Sequence, residues 1–141
     1  MPMQADKIRV LALALIEHDG KLLVSPGIDK IKGEDFYRLP GGGVDFGETA
    51  LEALKREFME EFRAEIVQVK LLSVFENIFE FNSDKGHEVT FIFSAKFKDE
   101  SLYGQSSFKI IDSHREGEAL WVPIVKLKES RLYPLGAKEC L

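Results

Sequence analysis

A glycine turn that leads directly into an acidic helix constrains this chain more than any other segment. The stretch from Gly42 to Ala64 reads GGVDFGETALEALKREFMEEFRA. With 3.6 residues per helical turn, Glu57, Glu60 and Glu61 fall on one face of the helix. Like charges at this spacing oppose helix formation unless a cation lies between them. Rigidly spaced carboxylates suit a hard divalent cation, Mg²⁺ or Mn²⁺, that keeps some waters for a phosphate substrate.

The sequence also marks where this helix begins and which side it buries. Thr49 and Glu52 form a capping box, which predicts a helix start near Thr49. Glu61 is the glutamate nearest the apolar edge of the helix. Four large apolar residues share one arc: Leu51, Leu54, Phe58 and Phe62. We therefore predict that this arc is buried and that the adjoining acidic arc binds the ligand.

The rest of the chain alternates between apolar runs and turn signals. Residues 8–16 and 21–25, separated by Asp19-Gly20, predict a β-hairpin. Residues 26–35 predict a mobile loop whose lysines either reach an anionic substrate or are simply solvated. Further strands are predicted at 36–39, 66–81, 88–97 and 120–122, with a short helix over 123–128 whose first turn contains Pro123.

Composition limits the function classes. The length of 141 residues with 45% hydrophobic content predicts a single domain over 1–141. A formal net charge of −5 argues against binding a nucleic-acid polymer. The single Cys140 allows no internal disulfide. Because we find neither an apolar signal core nor a run of 18 apolar residues, we expect no membrane association and a cytoplasmic location.

The spacing of Gly42, Glu48 and Arg56-Glu57-Phe58-x-Glu60-Glu61 resembles the Nudix box, here over residues 42–64. The lead-in Leu39-Pro40-Gly41 is similar too. The resemblance implies an α/β/α sandwich with a mixed sheet and hydrolysis of a nucleoside diphosphate linked to another moiety, or of a nucleoside triphosphate. It also implies a small-molecule nucleotide partner, and family members are often homodimers. Where the family has glycine, this chain has Arg63, which implies either a different helix exit or a strained one.

The resemblance assigns roles to the matching residues. Glu57 and Glu61 would be the principal ligands of Mg²⁺ or Mn²⁺, Glu60 a further ligand directly or through water, and the Gly41 carbonyl would join them. Arg56 and Glu48 would form an ion pair that ties the loop to the helix. The general base is open between Glu57 and a later loop glutamate, Glu116. Glu118 is the fallback, and a solvated loop is the plain alternative for both.

The part of the substrate beyond the diphosphate is less constrained. Arg38 is favoured as a contact because it precedes the glycine turn, and Gly41 and Gly42 approach the substrate through their backbone. Phe46 is a candidate for stacking on a base. Weaker candidates, which include aromatic residues equally typical of a core, are Arg9, His87, Phe79 and Trp121. A Nudix-fold binding module without catalysis is the alternative function, but it would usually lack one or more of the carboxylates present here.

Overall fold

The computed structural model describes residues 6–111 and 116–141, where strands form two mixed sheets flanked by helices. The first five strands are β1 (Ile8–Leu15), β2 (Glu17–His18), β3 (Lys21–Asp29), β4 (Glu34–Arg38) and β5 (Gly41–Gly43). The next five are β6 (Ile66–Phe81), β7 (Asp84–Phe97), β8 (Ser107–Ile111), β9 (Glu116–Pro123) and β10 (Leu132–Tyr133). The α-helices are α1 (Ala50–Phe62) and α2 (Ile124–Lys128), and 3₁₀ turns span Glu100–Gly104 and Ala137–Cys140.

Each sheet combines parallel and antiparallel pairs. The first has the order β5-β1-β7-β6, in which β1 and β7 are parallel and the other pairs antiparallel. The second has the order β10-β4-β3-β9-β8, with β2 also paired to β3 and only the β10–β4 pair parallel in this described path. The mixed sheet expected from the sequence is therefore confirmed.

Two hydrophobic clusters lie on opposite faces of the sheets. Successive residues of β1 belong to one cluster and then the other, because side chains of a strand point alternately to its two faces. Ala12 and Ala14 pack on the side where Leu54 and Phe58 of α1 are completely buried. On the other side, Leu11, Leu13 and Leu15 share a cluster with Leu127 of α2. This layering is the predicted α/β/α sandwich.

The predicted mobile loop over 26–35 is wrong. Strand β3 continues to Asp29 and β4 begins at Glu34, so only a tight turn remains between them. The Asp29 carboxylate is buried and holds this turn by accepting hydrogen bonds from the backbone N–H groups of Ile31 and Lys32, each at 3.0 Å. Its second oxygen accepts from the N–H of Asn82 at 3.3 Å, which joins the turn to the β6–β7 hairpin.

Other boundaries shifted for similar reasons. Strand β7 begins at Asp84 because the turn between β6 and β7 needs only Asn82 and Ser83, which both have positive φ. Pro123 precedes α2 as its cap instead of lying in its first turn. Leu51, predicted to be buried, is 39% exposed, whereas Leu54 and Phe58 are fully buried as expected. In the ranges that the structure covers, no helix is long and apolar enough to cross a membrane.

The start of α1 agrees with the sequence. Thr49 Oγ1 accepts from the N–H of Glu52 at 3.1 Å, and the Glu52 carboxylate accepts from the N–H of Thr49 at 3.0 Å. The helix ends on Arg63, which has a left-handed backbone with φ 53° and ψ 37°. Its N–H donates to the carbonyl of Met59 at 3.1 Å. Of the two predicted exits, the structure therefore has the left-handed one, with arginine in the conformation that glycine adopts most easily.

Replacing Arg63 with glycine should stabilise the protein by about 1 kcal/mol, because a left-handed residue with a Cβ is strained. Urea denaturation monitored by circular dichroism measures the change. Arg63→Ala is the matched control, since it removes the guanidinium but keeps the Cβ, and we expect it to give no comparable gain. A loss of stability in Arg63→Gly would contradict the strain argument.

Candidate active site

The side chain of Arg56 organises the acidic segment around it. Its guanidinium donates to both oxygens of Glu48, from Nε and from Nη2, at 2.8 Å each. Nη2 also donates to the carbonyl of Gly43 at 2.9 Å, and Nη1 donates to Glu57 Oε1 at 3.0 Å. A longer contact of 3.4 Å reaches Glu60. The guanidinium of Arg56 therefore offsets the repulsion between the glutamates of the helix face. It also ties the glycine strand to α1.

The Glu48 carboxylate is the main anchor of this arrangement. Besides the two bonds from Arg56, its Oε1 accepts from the backbone N–H of Asp45 at 2.9 Å. The bonds from Arg56 and then from Asp45 lower the pKa of Glu48 from 4.5 to about 2. The same pair, with Glu48 as the largest cause, raises the pKa of Arg56 above its ordinary value. The structure thus contains the predicted ion pair of Arg56 with Glu48, with two contacts of 2.8 Å.

Acid should weaken this anchor. Because the pKa of Glu48 in the folded protein lies below its unfolded value of 4.5, its stabilising contribution is present above about pH 4.5 and is lost as the pH falls towards 2. The free energy of unfolding, measured by urea denaturation between about pH 6 and pH 2, should fall less steeply with acid in Glu48→Gln than in the wild type. Parallel pH profiles for the two proteins would contradict this assignment.

Gly42 places the carboxylate of Glu57. A Cβ built on Gly42 would lie 2.6 Å from each of the two Glu57 oxygens, so the carboxylate packs directly on the glycine backbone. Gly42 pairs with Ala12 of β1 and is buried, whereas the Glu57 side chain keeps only 15% of its surface exposed. The glycine is required here by close approach, and it puts a carboxylate at the edge of the first sheet.

The neighbouring glycine is constrained by its own backbone. Gly41 has φ +135°, and a Cβ at this position would come within 2.8 Å of Leu13 Cα. The glycines predicted as a turn in fact form the edge strand β5, paired with β1. The predicted substrate and metal contacts of Gly41 and Gly42 therefore lie on a fixed backbone.

The three helix glutamates differ in their surroundings. Glu57 is paired with Arg56, Glu60 is more than half exposed, and Glu61 is 6% exposed at the boundary with the core. Within residues 6–111 and 116–141, no three acidic, histidine or cysteine side chains are already gathered around a common point. The donors nonetheless fit a hard cation, because carboxylates lie on one helix face beside a glycine strand that leaves no side chain between them.

The other residues predicted for the site lie outside the group of side chains around Arg56. Arg38 lies partly buried on β4, with its guanidinium carbon 5.6 Å from the centre of the Phe36 ring. Phe46 is completely exposed between β5 and α1. Glu116 is an exposed residue at the start of β9, opposite Ile111, so it is not in the predicted loop. The loop residues His114 and Arg115 lie outside the described part of the chain.

Sequence reasoning missed two contributors to the Arg56 arrangement. Asp45 Oδ2 lies 3.4 Å from Arg56 Nη2, and Gly43 supplies the carbonyl that this nitrogen contacts. The position of Asp45, three residues before Glu48 in a turn, was a usable signal for a local backbone-to-carboxylate bond. The carbonyl of Gly43 gave no such signal, because backbone direction is set by pairing with β1.

The architecture is shared with known hydrolase structures. A Nudix hydrolase from Nitrosomonas europaea is 21% identical, with a TM-score of 0.65, over 95% of this chain and 86% of that one. A MutT Nudix hydrolase from Burkholderia pseudomallei is 25% identical, with a TM-score of 0.65, over 96% and 95%. A structure described as a UDP-X diphosphatase is 25% identical, with a TM-score of 0.59, over 94% of this chain and 55% of that one.

The family model for the NUDIX domain matches residues 6–138. The chain therefore belongs to the Nudix family, whose hydrolases cleave pyrophosphate bonds in small nucleotide derivatives and generally use divalent metal ions. The resemblance seen in the sequence is confirmed, and the protein is a Nudix pyrophosphohydrolase.

Proposed function

We propose that this protein is a Mg²⁺-dependent hydrolase, with Mn²⁺ as a substitute, that cleaves the diphosphate of a nucleoside diphosphate linked to another group or of a nucleoside triphosphate. The observation that carries the proposal is the Glu57 carboxylate, which lies against Gly42 and is held by Arg56 at 3.0 Å. An ordinary surface helix has no need for a carboxylate fixed in this way beside a glycine edge strand.

In this proposal Glu57 and Glu61 hold the cation, with Glu60 and the Gly41 carbonyl as further ligands. When bound, the ion supplies positive charge to the phosphoryl oxygens and lowers the pKa of a water molecule. The more exposed Glu60 is suited to contact through water, while the nearly buried Glu61 is suited to a direct bond.

The roles of Arg56 and Glu48 are positional. The bidentate pair at 2.8 Å fixes the guanidinium, and the guanidinium in turn fixes Glu57. A carboxylate already oriented before substrate arrives does not have to reorganise as charge develops on the phosphate. When no substrate is present, the positive charge of Arg56 also offsets part of the negative charge of Glu48 and Glu57.

The proton of the attacking water needs an acceptor. Glu57 is close to the reacting water in this scheme, but a carboxylate that binds a cation is a weak base. Glu116 is the second candidate, since it is exposed and has no ion pair among the described residues.

Arg38 and Phe46 are proposed to contact the nucleotide part of the substrate. Arg38 precedes the glycine strand by three residues, and the exposed Phe46 lies between that strand and the start of α1. The structural similarity to a protein described as a UDP-X diphosphatase supports a substrate with a nucleoside diphosphate.

A panel of nucleotides tests the proposal directly. The full chain is incubated with Mg²⁺ and nucleoside triphosphates, nucleoside diphosphate sugars, dinucleoside polyphosphates and ADP-ribose, and products are separated by ion-exchange chromatography. We expect a nucleoside monophosphate and the matching phosphate or pyrophosphate, with no product in EDTA. Turnover of none of these compounds would overturn hydrolysis and favour the binding module.

A further inference from the structure

A row of polar side chains crosses the first sheet on the face opposite α1. Arg9 of β1 pairs in register with Glu88 of β7, which pairs in turn with Asn77 of β6. Thr90 follows two residues later in β7 on the same face. Glu88, Asn77 and Thr90 are 8%, 7% and 0% exposed. Polar groups are thus buried directly beside Leu11 and Ile92 of the hydrophobic cluster.

This row has more hydrogen-bonding capacity than its neighbours satisfy. Arg9 and Glu88 form an ion pair at 3.5 Å, between Nη1 and Oε2. Among the described residues, Arg9 Nε, Asn77 Nδ2 and Thr90 Oγ1 are buried without a hydrogen-bond partner. Buried polar atoms are nearly always bonded in native proteins, so these atoms keep hydrogen-bonding capacity for a polar ligand.

The charges in the row act on each other. Burial raises the pKa of the Glu88 carboxyl, and the charges of Arg9 and Arg38 lower it in part. Burial also lowers the pKa of Arg9, against the effect of Glu88. On the same face of the first sheet, Leu11 and Ile92 share a hydrophobic cluster with Val24 of β3 and Tyr37 of β4. The row therefore faces the space between β4 and the first sheet.

The row also adjoins the candidate active site. Two residues after Arg9, Leu11 pairs with Gly43, whose carbonyl accepts a hydrogen bond from Arg56. The N–H of Val44 donates to the carbonyl of Val10 at 2.8 Å. Because β5 is the edge strand of the first sheet, a substrate whose diphosphate lies at β5 reaches Arg9 and Glu88 by extending round this edge to the face opposite α1.

We propose that Arg9, Asn77 and Glu88 read the base of the substrate and select guanine; this rests on the proposed function. A carboxylate accepts from two adjacent N–H groups, and guanine presents N1–H and the 2-amino group side by side. Its neighbouring O6 accepts from a guanidinium or an amide. Adenine offers one donor group on this edge, and uracil offers one N–H between two carbonyls. Neither base therefore gives two adjacent N–H groups to Glu88 together with an acceptor for Arg9.

Binding of GDP and IDP tests this reading, because IDP lacks only the 2-amino group. Dissociation constants are measured by titration calorimetry on the full chain with Mg²⁺ and the non-hydrolysable α,β-methylene forms of GDP and IDP, so the cation is present and the result does not depend on turnover. We expect GDP to bind at least about tenfold more tightly than IDP, the scale of one hydrogen bond to a charged group. Equal affinities, or no measurable binding of either, would overturn the proposal.

The variant Glu88→Gln should reduce the ratio between the two affinities to nearly one, since an amide offers only one acceptor oxygen. Glu76→Gln is the matched control, because Glu76 is the exposed neighbour of Asn77 on the opposite face of β6. It should keep the wild-type ratio. If Glu88 only stabilised the sheet, its replacement would change the melting temperature and leave the GDP to IDP ratio as it was, which would contradict the assignment.

The two proposals fail in different ways. If the nucleotide panel shows no turnover while GDP still binds more tightly than IDP, hydrolysis is wrong and base selection stands. If the panel shows turnover of diphosphates without regard to the base, hydrolysis stands and the role of Glu88 is wrong.

Discussion

Glu57→Gln and Glu61→Gln should each lower kcat by about 10² or more, the scale for losing a main electrostatic group in a catalytic site. Glutamine keeps the shape of the side chain but removes the charge that a divalent cation requires. The fold should remain intact in both variants, which their far-UV circular dichroism spectra check. Steady-state kinetics on the best substrate of the panel, with Mg²⁺ in excess, measures the change.

The control for these variants is Glu65→Gln. Glu65 lies just beyond α1 and pairs on the surface with Lys98 at 3.0 Å, so it tests the loss of one negative charge near the helix without touching the site. Activity within about twofold of wild type is expected, since exposed ion pairs contribute little. Wild-type kcat in both Glu57→Gln and Glu61→Gln would contradict their assignment as ligands.

Gly42→Ala should also reduce kcat strongly, by about 10², although it alters no charged group. The new methyl group would occupy the space of the Glu57 carboxylate, whose oxygens are 2.6 Å from the ideal Cβ position. Either Glu57 or β5 must then move, and a displacement of about 1 Å in a catalytic group has an effect of this size. The backbone of Gly42 does not have a positive φ, so the effect is one of contact and not of backbone strain.

Gly104→Ala is the control, because it shows whether replacing a glycine by alanine lowers kcat when the new methyl group meets no other atom. A Cβ on Gly104 meets nothing within 4 Å and its φ is not positive, so wild-type kcat is expected. A crystal structure of Gly42→Ala would show the altered rotamer of Glu57. Full activity in Gly42→Ala would mean that the close approach of Glu57 to β5 has no part in catalysis.

The acidic helix was the most predictable part of the structure, because its signals are local. The capping box at Thr49 and the arc that contains Leu54 and Phe58 depend only on residues within a few turns, and both are confirmed. The pairing of Arg56 with Glu48 was also expected, from the resemblance to the family. Leu51 was less predictable: it lies on the same arc in the sequence pattern but is 39% exposed.

Long-range contacts explain what the sequence did not reveal. The segment after Pro26 is rich in glycine and charge, yet it is a regular hairpin because Asp29 bonds to the turn and to Asn82, more than fifty residues away. The short strand β8 was missed because its pairing with β9 is what defines it. The polar row at Arg9, Asn77 and Glu88 appears only when three strands are aligned.

Titration with Mn²⁺ shows whether α1 holds a divalent cation, on which the proposed hydrolysis depends. The fraction of free Mn²⁺ is measured by electron paramagnetic resonance during titration of wild type, Glu57→Gln, Glu61→Gln and the control Glu65→Gln. We predict that wild type and Glu65→Gln deplete the free-ion signal and that Mg²⁺ competes, while the two site variants bind at least about tenfold more weakly. Undiminished binding in both site variants would show that Glu57 and Glu61 do not hold the cation.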